Sequence, residues 1–217
     1  MIKLDTSERH FWEPDPRIIK ALCDLIPQGA KVLEIGPGAT PFPRAQVLVD
    51  IKDFGKGLKT VNCDCNTERL PFKDKEFDFI YARHVLEDMW NPFNLMKEAS
   101  RVAKSGYFET PSPLCEFSRG VDAGETQWRG YNHHFWLIWP HKGVLNFLGK
   151  FPLIEFVSGA EEDNLKLLRS GHRMWNTSFH WVGEAKFKHV QCPQDYHLPH
   201  QYPGAILTAI EEWKAAA

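Results

Sequence analysis

Val32-Leu-Glu-Ile-Gly-Pro-Gly-Ala-Thr40 sets a short apolar run directly against a glycine turn. An apolar run of this length bounded by turn residues reads as a buried strand, and the glycines allow close approach of a ligand to the backbone because no Cβ intervenes. Upstream, Ile18, Ile19, Leu22, Leu25 and Ile26 recur at helical spacing, after Pro14 and Pro16 and before Pro27-Gln-Gly. Downstream, Ala45-Gln-Val-Leu-Val-Asp50 predicts a second strand and Phe77-Asp-Phe-Ile-Tyr81 a third. Leu95, Met96, Ala99, Val102 and Ala103 share one face of a helix that Ser105-Gly106 is expected to close, and Tyr107–Thr110 predicts the next strand. Strands alternating with helices predict βαβ units and a mostly parallel sheet.

The rest of the chain is less regular. Residues 111–142 read as a long structured insertion, too aromatic for a linker, with Trp128, Tyr131, Phe135, Trp136 and Trp139. Val144–Leu148 reads as helix, Phe151–Val157 as strand, Glu161–Arg169 as a helix stopped by Gly171, Thr177–Val190 as one long strand, and Ala205–Lys214 as a closing helix. No repeat or low-complexity tract divides the 217 residues, so one domain over 1–217 is expected.

Charge excludes several partners. Residues 1–110 hold 16 basic and 17 acidic side chains, and neither half carries the basic excess that nucleic acid requires. No apolar run reaches the ~18 residues of a membrane span, and the N-terminal stretch lacks the apolar core of a signal peptide. The five cysteines have no CxxC spacing, which argues against a disulfide framework or zinc knuckle and for a cytoplasmic location. The uneven feature is aromatic: six of eight Trp and eight of ten His follow Thr110.

The chemistry begins at the ends of the strands. Asp50, closing the second strand, can accept from both hydroxyls of a ribose. Asp64, followed by Leu70-Pro-Phe, can accept from an adenine amino group. A pyrophosphate cradle would need a third glycine and free N–H donors, whereas Pro37, Pro41 and Pro43 remove donors. A ribosyl ligand with a small charged tail and no phosphate fits better.

VLEIGPGATPF (32–42), VLVDIKD (47–53), CDCNTERLPFKDKEFDFIYARHVLED (63–88) and NPFNLMKEASRVAKSGYFETPSP (91–113), in this order, resemble the class I S-adenosylmethionine-dependent methyltransferases, particularly the type 11 group. The resemblance covers about residues 15–113. It implies a Rossmann-like α/β sandwich with a mostly parallel seven-stranded sheet, an antiparallel last strand and helices on both faces. S-adenosylmethionine would be the cofactor and S-adenosylhomocysteine its product; a divalent metal held by Asp122 and one histidine is the less favoured alternative to a metal-free site. Glu34, Gly36, Pro37 and Gly38 would frame the methionine part, Asp50 and Ile51 the ribose and adenine edge, Asp64 and Cys65 the adenine, and Arg83 the amino-acid end. Residues 15–110 would then be the cofactor half and 111–217 the acceptor half. The chain departs from the family at Glu87-Asp88, where Glu-His is common.

An acceptor hydroxyl must lose a proton, so a base is expected beyond the fourth parallel strand, where such folds bind ligands. His133 and His134, with Asp122 to orient one of them, are the catalytic candidates. Glu109, Trp128, Arg129 and Tyr131 are candidates for binding the acceptor. Aromatic faces mixed with His, Asp and Arg suit the C–H face and hydroxyls of a sugar. FETPSPL (108–114) and HHFW (133–136) resemble methyltransferases of glycan synthesis, implying O-methylation of a glycan or of a deoxyhexose such as rhamnose. A quinone, lipid or other metabolite is the alternative acceptor, and a non-catalytic cofactor-binding module the alternative class. Arg9–Trp12 could form a lid.

Overall fold

The structure, a computed structural model, describes residues 13–52, 57–158, 161–192 and 197–216. The Arg9–Trp12 segment lies outside the described residues. The first helix, α1 (Pro16–Leu25), starts where the Asp15 carboxylate accepts the Arg17 N–H at 2.8 Å, with proline in the first turn. At its other end the Arg44 guanidinium accepts no bonds but donates to the carbonyls of Cys23, Ile26 and Pro27, which the last turn leaves without helical partners.

Strands β1 (Val32–Ile35) and β2 (Val47–Asp50) are almost wholly buried, as strands covered on both faces must be. β3 (Lys59–Asn62) follows, then β4 (Phe77–Arg83), α2 (Pro92–Val102) and β5 (Ala103–Pro111). Their order is β3-β2-β1-β4-β5, all parallel, with β8 (Asn176–Val182) completing a six-stranded sheet as its antiparallel member. The expected seventh strand is not in this sheet. Leu22 of α1 and Ile26 just after it pack into a core with Leu48, Phe79, Tyr81 and Tyr107.

Contacts divide the described residues into two compact units, one built on Pro14–Glu109 with Ser178–Phe187 and the other on Thr110–Thr177 with the segment from Lys188 onward. The second contains α3 (Pro113–Phe117), β6 (Trp136–His141), β7 (Val144–Gly149), α4 (Glu161–Leu168), α5 (His172–Trp175), β9 (Phe187–Val190) at its margin and α6 (Leu198–Ala216). β6, β7 and β9 form a three-stranded sheet. Leu114, Trp139, Leu148, Trp175, Tyr202 and Trp213 belong to this unit's core, so much of the tryptophan surplus packs the interior.

Four local expectations are corrected. α2 ends at Val102, and Ser105-Gly106 lie within β5, paired with Phe79 and Ile80. A β-carbon on Gly106 would collide with Ile80 and Trp181, so this glycine serves strand packing. Val144–Leu148 is strand, joined to β6 through Lys142 and Gly143, both with positive φ as two-residue hairpins require. Phe151–Val157 holds a 3₁₀ turn, Pro152–Phe156, because a short apolar run does not distinguish the alternatives. Thr177–Val190 breaks at Gly183 (φ 80°), sending β8 and β9 to different sheets. β3 escaped the sequence reading because this short edge strand, Lys-Thr-Val-Asn, is half exposed and lacks an apolar pattern.

Candidate cofactor site

A cavity of about 310 Å³ opens at the carboxyl ends of β1, β2, β3 and β4, where the strand order reverses between β1 and β4. The turn after β1 takes Gly36 and Gly38 through the left-handed region, at φ 63° and 54°. The Val85 side chain occupies the space where a β-carbon on Gly36 would project. Both glycines border the cavity, as do Asp50, Ile51, Asp64 and Cys65. The structure thus gathers six of the nine expected cofactor residues around one space.

The other three stand behind it. Glu34 is buried and accepts the Phe42 N–H at 2.8 Å, bracing the far end of the glycine turn. Burial pushes its carboxyl up to about 7, against the lowering effect of that hydrogen bond. Pro37 is buried within the turn. The Arg83 guanidinium pairs with Glu109, Nε to Oε1 at 2.6 Å, and the Tyr107 hydroxyl donates to the other carboxylate oxygen at 2.6 Å.

Asp50 is half-buried and accepts the Lys52 N–H at 3.0 Å. Asp64 accepts from Asn66 N–H, Asn66 Nδ2 and Thr67 Oγ1, and these bonds, the Asn66 backbone donor first, hold its carboxyl below the ordinary range. A carboxylate has about four acceptor positions, so the same group can also receive a ligand amine. Cys63 and Cys65 border the same space. Burial pushes the Cys63 thiol up to about 11 and raises Cys65 further, so both are neutral and unreactive near pH 7. Asn94 Nδ2 ties the carbonyls of Cys65 and Glu68 to the start of α2.

The cofactor candidates at β4 end with Arg83, one residue before His84. His84, Val85, Asp88 and Met89 also border the cavity, as does Asn66. The detectable signal was positional: residues just past a parallel strand's carboxyl end face the crevice. His84 adopts φ 53°, uncommon for a residue with a β-carbon.

The acceptor candidates occupy other surroundings. His134 is buried, with Nδ1 at 2.6 Å from Glu116 Oε1, while Glu116 Oε2 meets Lys150 Nζ at 2.6 Å. Burial alone would raise the Glu116 carboxyl, but the charges of Lys150 and His134 outweigh it and hold the group well below its ordinary value. The carboxylate beside His134 is therefore that of Glu116. Asp122, expected to orient a histidine, accepts from Trp128 Nε1 at 3.3 Å. His133 is exposed, and its ring meets that of His134 edge-on at 4.6 Å. Three residues expected to face an acceptor are buried. Arg129 donates to the carbonyls of Phe117 and Val157, Tyr131 packs its ring against His134, and Glu109 carries the Arg83 pair. Trp128 is half-buried. Among the described residues, no helix is long and apolar enough to cross a membrane.

Residues 22–108 match the family described as Methyltransferase domain. An uncharacterized protein of Methanocaldococcus jannaschii is 41% identical over 97 residues, covering 41% of this chain and 46% of that protein. The sarcosine/dimethylglycine N-methyltransferase of Aphanothece halophytica is 26% identical over 125 residues, covering 47% and 45%. The chain thus spans less than half the length of these two relatives. A crystal structure of an S-adenosylmethionine-dependent methyltransferase from Mesorhizobium loti aligns over 45% of this chain and 54% of that one, with 18% identity and a TM-score of 0.36. By its own strand order the chain has a Rossmann-like α/β fold, and residues 22–108 of it match the methyltransferase domain family.

Proposed function

We propose that the chain transfers a methyl group from S-adenosylmethionine to a small molecule. The observation that carries this reading is the cavity that brings Gly36, Gly38, Asp50 and Asp64 together at the strand ends. Gly36 and Gly38 leave room beside the backbone for the methionine tail, Asp50 offers its carboxylate to the ribose hydroxyls, and Asp64 with Cys65 faces the adenine. When bound, the cofactor supplies a methyl group on an electron-poor sulfonium; the protein's part is to orient the acceptor and exclude water.

For the acceptor, the aromatic and histidine-rich sequence from Trp128 to Trp136 supports O-methylation of a sugar or glycan hydroxyl, with its proton passing to an imidazole. A second reading, N-methylation of a small amine, draws on the likeness to the sarcosine/dimethylglycine N-methyltransferase. Calorimetric titration with S-adenosylmethionine tests the first step, with Asp50→Ala as the control. A parent protein that binds none overturns the methyltransferase reading. Incubation with the cofactor and a panel of sugars, amines, quinols and lipids, followed by mass spectrometry, then separates the acceptor classes by which product gains a methyl group.

A further inference from the structure

We propose that His84, backed by Glu87, is a catalytic base of this site. The inference rests on the methyltransferase reading and replaces His133 and His134 as the proton acceptor. It starts from the cavity itself, which His84 borders from the carboxyl end of β4. The imidazole is 18% exposed, and the Glu87 carboxylate beside it is 1% exposed, with Oε1 3.6 Å from Nδ1. A buried carboxylate on the Nδ1 side favours the tautomer whose Nε2, across the ring, can take a proton, and it stabilises the imidazolium that results. Asp50, Asp64 and Asp88 border the same space and add to that negative surrounding. The neighbouring cation, Arg83, is paired to Glu109.

Backbone geometry holds the imidazole there. The His84 N–H donates to the Glu109 carbonyl at 2.8 Å, continuing the β4–β5 ladder, while φ at 53° turns the chain immediately after the strand. Strained left-handed residues that bear side chains concentrate at functional sites. Val85, the next residue, fills the space above Gly36, so His84 stands at the glycine-turn end of the cavity, the end that would hold the methionine portion and its methyl group. In the reaction, the acceptor oxygen or nitrogen forms a bond to the methyl carbon as the carbon–sulfur bond breaks. The electron pair of that bond leaves with sulfur, which becomes a neutral thioether, and the acceptor's proton moves to His84 Nε2. The imidazolium charge then lies beside Glu87.

The test uses the whole chain with S-adenosylhomocysteine and does not depend on knowing the acceptor. His84→Asn is the first variant, because asparagine tolerates positive φ and removes the base without adding strain. The imidazole carbon resonance missing from this variant identifies His84 in the parent spectrum. It should shift when S-adenosylhomocysteine is added, and Glu87→Gln should move its titration midpoint to lower pH by about one unit. With the acceptor found in the panel, His84→Asn should lower kcat about 100-fold and remove the acid limb of the pH profile, with KM for S-adenosylmethionine within about threefold. A resonance indifferent to both the thioether and Glu87→Gln overturns the proposal, as does a His84→Asn enzyme with parental kcat and pH profile. Failure of the parent to bind S-adenosylhomocysteine overturns the underlying methyltransferase reading instead.

Discussion

Asn91 grips Asn66 at two points: its backbone N–H donates to Oδ1 at 3.0 Å and its Nδ2 donates to the backbone oxygen at 2.8 Å. With Asn94 holding the carbonyls of Cys65 and Glu68, the whole turn after β3 is fastened to the head of α2. Asp64 is carried on that turn, so its direction depends on two amides, Asn91 and Asn94, that do not border the cavity. Asn94→Ala should therefore weaken S-adenosylhomocysteine binding about threefold to tenfold, roughly the worth of one or two ordinary hydrogen bonds. It should also narrow the preference for the adenosyl over the inosyl thioether. Calorimetry with the two compounds measures both; an unchanged preference would show that the clamp plays no part in base recognition.

Gly36 offers a sharper substitution. A β-carbon there would come within 2.5 Å of Val85 Cγ2, and the φ of 63° is costly for alanine. Gly36→Ala should destabilise the fold by about 1–3 kcal/mol and raise the cofactor Kd more than tenfold. Gly38, where the same construction meets nothing within 4 Å, should tolerate alanine better apart from the backbone strain. Urea unfolding and calorimetry on the pair check the contrast.

Glu34 should make stability fall with pH. Its folded carboxyl is pushed up to about 7 from an ordinary 4.5, so the native state holds the proton more tightly than the unfolded chain. Its favourable effect is complete below pH 4.5, declines as pH rises towards 7, and is gone above. The loss is about 3 kcal/mol at most. Glu34→Gln keeps an acceptor for Phe42 and should flatten this dependence, ending more stable than the parent at pH 8. Urea midpoints from pH 4.5 to 8 read the difference directly.

Glu116 links the buried Lys150 ammonium to the buried His134 imidazole. Replacing it with alanine leaves Lys150 and His134 without their shared counter-charge and should cost about 3–5 kcal/mol. Lys150→Met should cost less, because His134 remains to face the carboxylate. Thermal and urea unfolding of the two variants establish the order, and equal losses would contradict it.

The parallel sheet was readable because β1 and β2 are short, apolar and end in Gly or Asp, and because α2 repeats its buried residues at helical spacing. Asp50 was readable because it ends such a strand, and Asp64 because Leu70-Pro-Phe and the strand Phe77–Tyr81 follow it, although the strand before it was not. The hairpin at Lys142-Gly143 was not, since lysine gives no hint of positive φ. Glu116 was passed over because the chain separates it from His134 by 18 residues and from Lys150 by 34. Only folding brings them together. Arg129 and Glu109 looked like ligands because they lie at or beyond the end of the fourth parallel strand, whereas their partners are interior carbonyls and the Arg83 guanidinium.

The return of Ser178–Phe187 to the cofactor unit has a consequence for synthesis. While the ribosome is still short of β8, the edge of β5 stands open, with Gly106 and Phe108 lacking Trp181 and Tyr107 lacking the Ser178 hydroxyl. The N-terminal sheet must therefore wait, with an unprotected β-edge, until some seventy further residues have emerged, several seconds at ordinary translation rates. A nascent chain stalled in that interval is the form most exposed to strand-to-strand aggregation and to chaperone capture.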